Sequence, residues 1–161
     1  MNPEPHNHTL SLRVNGRDWR GEVAARQSLA DFLRERMNLT GTHLGCEHGV
    51  CGACTIMIDG IPQRSCLTLT VQVEGRSITT VEGLEGPVVD ALRDAFSECH
   101  ALQCGFCTPG MLVTALDVIA RGKCGSDEEI RGELSGNLCR CTGYQGIVKA
   151  IRTASERIGH E

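Results

Sequence analysis

The sequence predicts an α+β protein of two small domains, in which a mixed unit of strands and one helix precedes a bundle of four helices. Strand-like alternation and hairpin pairs occur before about residue 83, whereas the segments after it suit helices. A length of 161 residues gives room for two compact modules, each with a modest core. Only 3% of the residues are aromatic, so we expect that something other than aromatic packing helps to hold such small cores together.

The first domain begins with a hairpin and a helix. Residues 9–14 alternate between polar and apolar side chains, and the Asn-Gly pair at 15–16 is a strong signal for a two-residue hairpin turn. A return strand is therefore expected over about 17–23. Ser28 precedes an apolar run and suits an N-cap, which predicts a helix from there to about residue 37.

A second hairpin and one more strand complete the first domain. Residues 55–58 and 61–65 flank the Asp-Gly turn pair at 59–60, and a further strand is expected near 76–80. Together with the first hairpin, these segments predict a small mixed α+β unit.

The second domain is predicted to be helical throughout. Pro87 and Pro109 suit the first position of a helix. Thr108 suits an N-cap, and Ser126 with Glu129 forms a capping box. The four expected helices cover residues 88–99, 109–121, 127–134 and 145–158.

These segments divide the chain into three parts. We expect a flexible polar N-terminal tail over residues 1–8, a first domain over 9–83 and the helical domain over 84–161. The two histidines of the tail, His6 and His8, are expected to be exposed to solvent.

Composition excludes several classes of function. The formal charge of −4 arises from 16 basic and 20 acidic residues that are interspersed, so no basic stripe indicates a nucleic-acid partner. The N-terminus lacks the basic start and apolar stretch of a secretory signal, and no apolar run approaches the ~18 residues of a membrane span. We therefore expect a cytoplasmic protein without a transmembrane segment, whose reduced thiols bind metal rather than form disulfides.

Four of the ten cysteines have the spacing of a plant-type 2Fe–2S site. Cys46, Cys51 and Cys54 follow the pattern C-x4-C-x2-C, and Cys66 comes at a distance, after the second hairpin. The glycines between the first three allow backbone angles that are closed to other residues, and so let amide groups point at the sulfurs. A structural zinc site is the alternative, although zinc sites usually pair two short C-x2-C knuckles.

A second set of four cysteines lies at the entrances of two predicted helices. Cys104 and Cys107 form a C-x2-C motif, and Cys139 and Cys141 form a C-x-C motif. The unpaired amides and the dipole at a helix N-terminus favour the thiolate form of cysteine. By spacing alone, this set fits either an iron–sulfur cluster or zinc.

Three segments stand out together, at 45–54 (GCEHGVCGAC), 103–111 (QCGFCTPGM) and 136–144 (GNLCRCTGY). In this order they resemble the iron–sulfur subunit of the molybdenum hydroxylases, the family of xanthine dehydrogenase, aldehyde oxidoreductase and aerobic carbon monoxide dehydrogenase. The resemblance extends from about residue 9 to residue 158, and no cysteine of either set departs from the family pattern.

The resemblance leaves two cysteines without a role. Cys99 and Cys124 match neither spacing, and they are expected to pack as small, reduced, apolar side chains.

The resemblance implies a fold and a set of cofactors. It implies an N-terminal β-grasp, ferredoxin-like domain and an all-α four-helix bundle domain, each holding a 2Fe–2S cluster. A large partner subunit would carry molybdopterin, as the cytosine dinucleotide, and a medium subunit would carry FAD unless another electron acceptor takes its place. Gln103 and Cys141 would approach the pterin, with helix capping as the alternative role for Gln103, and the cluster of the first domain would face the flavin.

The implied function is electron transfer within an oxidoreductase. Substrate would be oxidised on the large subunit, and this chain, which carries no catalytic residue of its own, would relay single electrons to FAD or another acceptor. An independent soluble ferredoxin with two clusters is the first alternative, although a ferredoxin needs only the first domain. A structural zinc protein without redox activity is the second.

Overall fold

A five-stranded mixed sheet forms most of the first half of the chain. In the computed structural model, which describes residues 7–159, the strands are β1 (Asn7–Val14), β2 (Arg17–Ala24), β3 (Thr55–Ile58), β4 (Ile61–Arg64) and β5 (Ser77–Thr79). They lie in the order β2-β1-β5-β3-β4 across the sheet. Strands β1 and β5 are parallel, and the other neighbours are antiparallel. The structure therefore confirms both predicted hairpins and the later strand.

Strand β1 begins earlier than the sequence predicts. Asn7 and His8, which fall in the expected tail, pair with Ala24 and Val23 of β2 and so belong to the sheet. The side chain of His8 is exposed, as expected. The rest of the tail, including His6, lies outside the described residues, as do residues 160 and 161.

Both hairpin turns have the backbone that their sequences predict. Asn15 and Gly16 have φ angles of 49° and 77°, and Asp59 and Gly60 have φ angles of 50° and 80°. Positive φ at both central residues is the mark of a type I′ turn, whose twist matches that of the flanking strands.

The helix of the first domain starts where predicted and then changes its winding. The hydroxyl of Ser28 caps α1 (Leu29–Asp31) by accepting an amide hydrogen bond at 3.0 Å. The chain continues as a π-helix over Phe32–Arg36, whereas the sequence predicts one regular helix to about residue 37. Phe32 and Leu33 are fully buried at this point, so the wider turn occurs where the segment packs into the core.

The sheet and this helix share one apolar core. In β1, buried Leu10, Leu12 and Val14 alternate with exposed residues, as expected for a strand with one face covered. The ring of Phe32 meets the ring of Trp19 edge-on, with centroids 4.7 Å apart. Aliphatic side chains supply most of the core, in keeping with the low aromatic content.

The second half of the chain is helical, as predicted. Its helices are α2 (Pro87–Glu98), α3 (Thr108–Ala120), α4 (Asp127–Glu133) and α5 (Gln145–Ile158). Pro87 is the first residue of α2, as predicted, but the N-cap of α3 is Cys107 rather than Thr108. The Ser126 hydroxyl accepts the Glu129 amide at 3.1 Å, which confirms the cap of α4.

One apolar core joins these helices. Each helix contributes fully buried side chains to it, among them Leu92, Val113, Ile130 and Ile151. The architecture is therefore α+β, with a sheet domain followed by a helical domain. Within residues 7–159, none of the helices combines the length and the apolar character that a membrane span requires.

The two domains meet where α3 packs against β3 and β4. A buried polar network lies at this contact, and we call it the domain seam; its members are Gly52, Thr55, Arg64, Thr114, Gly136 and Asn137. Asn137 is only 2% exposed. Its Nδ2 donates to the Gly52 carbonyl at 3.2 Å, and its Oδ1 accepts the Thr114 hydroxyl at 3.0 Å. Arg64 donates to the Gly136 carbonyl at 2.6 Å.

Two glycines allow the backbones to approach each other at the seam. Gly52 has a φ of 72°, and a Cβ added to it would clash with the carbonyl oxygen of Gly136. A Cβ added to Gly110 of α3 would clash with the carbonyl oxygen of Gly52. Each side of the seam therefore requires a glycine at the point of close approach, Gly52 on one side and Gly110 on the other.

Candidate metal centres

The second hairpin brings the first cysteine set together. Cys46, Cys51 and Cys54 lie in the loop before β3, whereas Cys66 lies in a 3-10 turn after β4. Because β3 and β4 are antiparallel, the chain returns to the loop. The amide and hydroxyl of Ser65 both donate to the Cys54 carbonyl, at 3.3 and 2.8 Å. Cys66 is thus held beside the loop, as the sequence indicated.

The thiols of the first set interact in pairs. The Cys51 amide donates to Cys46 Sγ at 3.4 Å. The amides of Cys51 and His48 lower the pKa of the Cys46 thiol to about 6, which favours its thiolate form. Burial, together with the neighbouring Cys54 thiol, raises the pKa of Cys66 to about 11. Cys46 therefore lies beside Cys51, and Cys66 lies beside Cys54 and within electrostatic reach of Cys46.

Positive φ angles shape the loop around the first set. Glu47, Gly49 and Gly52 have φ angles of 55°, 81° and 72°, in the region that glycine adopts without strain. Turns of this kind direct successive amides into one concave site, where they stabilise negative charge. The unusual backbone angles predicted for the loop glycines are thus confirmed at Gly49 and Gly52.

The second cysteine set lies where α3 and α5 begin. Cys107 is the N-cap of α3, and Cys141 comes shortly before Tyr144, the N-cap of α5. The Sγ atoms of Cys104 and Cys141 are 3.5 Å apart. Cys107 interacts with Cys139, and burial together with that neighbour raises the pKa of Cys107 to about 12. The two sequence motifs therefore meet as two thiol pairs at one end of the helical domain.

Two hydroxyl residues with no role predicted from the sequence hold the C-x-C loop. Thr142 Oγ1 lies 3.1 Å from Cys139 Sγ. The Tyr144 hydroxyl accepts the Cys139 amide at 2.9 Å and donates to the Asn137 carbonyl at 3.3 Å. The sequence signal was the Thr-Gly-Tyr segment that follows the C-x-C motif, because residues beside metal-binding cysteines commonly orient them.

One backbone hydrogen bond connects the two cysteine sets. The Leu138 amide donates to the Cys51 carbonyl at 2.8 Å, and Leu138 immediately precedes Cys139. Asn137, the residue before Leu138, is fixed in the domain seam by its bond to Gly52. The seam therefore determines how far apart the two sets lie.

The two sets differ in their exposure. Cys104 and Cys141 are exposed, whereas Cys54 is buried. Gln103 is also exposed beside Cys104, and it does not cap a helix, because the N-cap of α3 is Cys107. Large apolar side chains are exposed beside both sets, namely Val50 and Leu67 at the first and Leu102, Phe106 and Leu138 at the second.

The two remaining cysteines pack against the apolar core of the helical domain. Cys99 is the C-cap residue of α2, and burial raises the pKa of the Cys124 thiol. Both therefore pack as the small apolar side chains that the sequence predicted.

The arrangement of the donors fits two-iron clusters. Within residues 7–159, no three or more His, Cys, Asp or Glu side chains are grouped as a single metal ion requires. Each set instead supplies two pairs of thiols, and a 2Fe–2S cluster divides four thiolates between two irons. The amides and the hydroxyl directed at sulfur would stabilise the negative charge of such a cluster.

Comparison with known families gives each half of the chain its own match. Residues 12–76 match a family model described as a 2Fe-2S iron-sulfur cluster binding domain. Residues 80–152 match a family model described as a [2Fe-2S] binding domain.

Several relatives cover almost the whole chain. Caffeine dehydrogenase subunit gamma of Pseudomonas sp. (strain CBB1) is 58% identical over 152 residues, which cover 92% of this chain and 91% of that one. Nicotine 6-hydroxylase small subunit of Paenarthrobacter nicotinovorans is 51% identical over 160 residues, which cover 99% and 97%. A chain in the crystal structure of quinoline 2-oxidoreductase from Pseudomonas putida 86 superimposes with a TM-score of 0.88 at 52% identity, covering 96% of this chain and 97% of that one.

Proposed function

This chain belongs to the small iron–sulfur subunits of the molybdenum hydroxylases, and on that premise we propose that its two cysteine sets are the ligands of two 2Fe–2S clusters. The ligands of the first cluster would be Cys46, Cys51, Cys54 and Cys66, and those of the second Cys104, Cys107, Cys139 and Cys141. The pairing of thiols within each set supports this assignment, because each iron of the cluster takes two thiolates.

The chain is an electron-transfer subunit of an oxidoreductase complex, and substrate chemistry belongs to the large molybdopterin-binding subunit. When bound, each cluster takes up and releases one electron at a time. The residues of this chain keep the two sites at a fixed separation. The proposal rests chiefly on the hydrogen bond from the Leu138 amide to the Cys51 carbonyl, since this bond joins the two cysteine sets through backbone atoms alone.

We assign the second cysteine set to the side that faces the large subunit. Cys104 and Cys141 are exposed, so a docked partner can bring a redox cofactor close to them. Gln103 would contact the pterin of that subunit, and Cys141 would lie near the pterin. The exposed Leu102, Phe106 and Leu138 would be covered in the interface, as apolar side chains are at the centre of stable interfaces.

The first cysteine set would then face the electron acceptor. We propose a medium subunit with FAD for this role, with another acceptor as the alternative, and molybdopterin cytosine dinucleotide as the cofactor of the large subunit. By their names, three relatives act on caffeine, nicotine and quinoline. Because each of these compounds contains a nitrogen heterocycle, we propose an N-heterocyclic substrate for the complex of this chain.

Membership of this family also leads us to propose the fold of each domain and the cellular location of the complex. The sheet with its packed helix supports the β-grasp description of the first domain, and the common core of α2 to α5 supports a four-helix bundle. We expect the complex to reside in the cytoplasm, where cysteines stay reduced and available to iron.

Iron and acid-labile sulfide per chain, measured together with EPR after dithionite reduction, test the proposal. About four irons per chain and two distinct EPR signals are expected for two 2Fe–2S clusters. Zinc in place of iron, or one cluster only, would contradict the ligand assignment. Co-expression with the large subunit provides the second test, and a chain that never co-purifies with it would support an independent ferredoxin.

A further inference from the structure

A side-chain hydroxyl contacts the sulfur of one cysteine in the second set. Thr142 Oγ1 lies 3.1 Å from Cys139 Sγ, and the Tyr144 amide donates to the same oxygen at 3.2 Å. A hydroxyl has one hydrogen to donate and two lone pairs that accept. Because the Tyr144 amide uses a lone pair, the hydroxyl hydrogen of Thr142 remains available to the sulfur.

The protonation state of the cysteine decides the direction of this hydrogen bond. A cysteine that binds iron is a thiolate and has no hydrogen to donate. Thr142 is then the donor and Cys139 Sγ the acceptor. Hydrogen bonds with one charged partner are about twice as strong as those between neutral groups.

Tyr144 positions both residues of the contact between Thr142 and Cys139. The Tyr144 amide fixes the Thr142 oxygen, while the Tyr144 hydroxyl fixes the Cys139 amide at 2.9 Å and the Asn137 carbonyl at 3.3 Å. Thr142, Cys139 and Tyr144 are all partly buried, so water competes only in part for these bonds. The hydroxyl is therefore oriented toward the sulfur before any electron arrives.

We propose that Thr142 sets the reduction potential of the second cluster. Its hydroxyl donates to the sulfur of Cys139 and so stabilises the additional negative charge of the reduced form more than the oxidised form. The reduction potential of the second cluster is thereby raised, since hydrogen bonds to sulfur are one of the factors that set cluster potentials. This inference rests on the proposed function, which makes Cys139 a ligand.

Backbone amides donate to sulfur in both cysteine sets, and Cys139 of the second set has a side-chain hydroxyl as a further donor. In the first set, the donors to Cys46 are backbone amides, such as that of Cys51 at 3.4 Å, which a substitution does not remove. In the second set, Cys139 receives a side-chain hydroxyl in addition to the backbone amides of Cys141 and Thr142. The potential of the second cluster can therefore be changed by one residue, while the first cluster serves as an internal reference.

The test is an EPR-monitored redox titration of the full chain carrying Thr142→Val, Thr142→Ser or no substitution. Valine has nearly the shape of threonine but no hydroxyl, so we expect the midpoint potential of the second cluster to become more negative. The midpoint potential of the first cluster should stay unchanged. Thr142→Ser retains the hydroxyl and should keep the potential of the unsubstituted protein.

Thr153→Val is the matched control, because Thr153 is also partly buried but lies within α5, beyond its first two turns. It should leave both potentials unchanged. Thr142→Ala removes the hydroxyl without adding a methyl group beside it, and it repeats the measurement if Thr142→Val does not retain iron.

Two results would overturn the inference. One is a second cluster whose potential is the same with and without the hydroxyl, and the other is an equal shift of both clusters, which indicates a general change of structure. Absence of a second cluster in the unsubstituted protein would instead refute the proposed function. The iron and sulfide content of each variant separates these cases.

Discussion

The Leu138 amide donates a hydrogen bond to the Cys51 carbonyl at 2.8 Å, which connects the C-x-C motif of the helical domain to the cysteine loop of the sheet domain. This bond is part of a larger contact, because Asn137 is fixed to Gly52 in the domain seam. The two cysteine sets are thus joined through the backbone and the domain seam, although each set lies in its own domain.

Substitution of one cysteine should remove one cluster only. Cys51→Ser is expected to abolish the first cluster and to retain the second, because the two proposed ligand sets share no residue. EPR and iron content measure this, with about two irons per chain remaining. Cys99→Ser is the control and should keep both clusters, because Cys99 packs against the helical core. Loss of both clusters from a folded Cys51→Ser protein would contradict separate sites.

Asn137 should stabilise the contact between the domains. Asn137→Ala removes the partner of the buried Thr114 hydroxyl and one of the donors to the Gly52 carbonyl, which keeps its bonds from the Thr55 amide and hydroxyl. We expect the free energy of unfolding to fall by about 1–3 kcal/mol, the usual effect of unsatisfied buried polar groups. The shift of the urea midpoint, followed through cluster absorbance, gives the measurement. Asn7→Ala, at an exposed position of β1, should change it by less than about 0.5 kcal/mol.

Two helical glycines should respond to alanine in opposite ways. Gly110→Ala is expected to be strongly destabilising, because its Cβ would clash with the Gly52 carbonyl oxygen and force α3 away from the seam. Gly132→Ala in α4 is expected to be stabilising by about 1 kcal/mol, because no atom lies within 4 Å of its added Cβ and alanine favours the helix. Thermal unfolding of both variants measures the difference. Equal changes in thermal stability would show that the close approach of Gly110 to Gly52 does not contribute to the stability of the protein.

Gln103 should contribute to assembly rather than to cluster binding. Gln103→Ala is expected to retain both clusters and to weaken binding to the large subunit by roughly two- to ten-fold, the effect of one lost hydrogen bond. Titration of the purified large subunit with each variant gives the measurement. Gln27→Ala, in the sheet domain, should bind normally. Unchanged binding and unchanged electron transfer in Gln103→Ala would remove the proposed pterin contact.

Removal of iron should destabilise the fold. Each proposed cluster crosslinks segments that lie far apart in the sequence, and the cores are small and poor in aromatic residues. A loss of only ~3 kcal/mol would lower the midpoint of thermal unfolding by roughly 6–12 °C in a chain of this length. Calorimetry before and after chelation under reducing conditions tests this. Equal heat stability of the two forms would refute a structural role for iron.

The sequence predicted the local features of the fold well because their causes are local. The Asn-Gly and Asp-Gly pairs form type I′ turns since both of their residues accept positive φ, and Ser28 and Ser126 cap their helices through amides three residues away. Spacing also groups eight cysteines into two sets, and the structure brings the members of each set together.

The missed features depend on residues that are distant in the sequence. The bonds of Asn137 to Gly52 and of Leu138 to Cys51 require the packed domains, and no motif indicates them. The π-helix over Phe32–Arg36 depends on packing into the core, which an N-cap signal does not report. Thr142 is a local exception, because it lies three residues from Cys139 and the Thr-Gly-Tyr segment was its sequence signal, but the contact of its hydroxyl with the sulfur depends on the shape of the loop.

The domain seam also has a consequence for biosynthesis. A ribosome completes the first cysteine set at Cys66, long before it adds residues 136–138. Until then the Gly52 carbonyl lacks the Asn137 amide and the Arg64 guanidinium lacks the Gly136 carbonyl, although both can already bond to Thr55. The bonds that hold the first cysteine loop to residues 136–138 therefore form only after the helical domain has been synthesised.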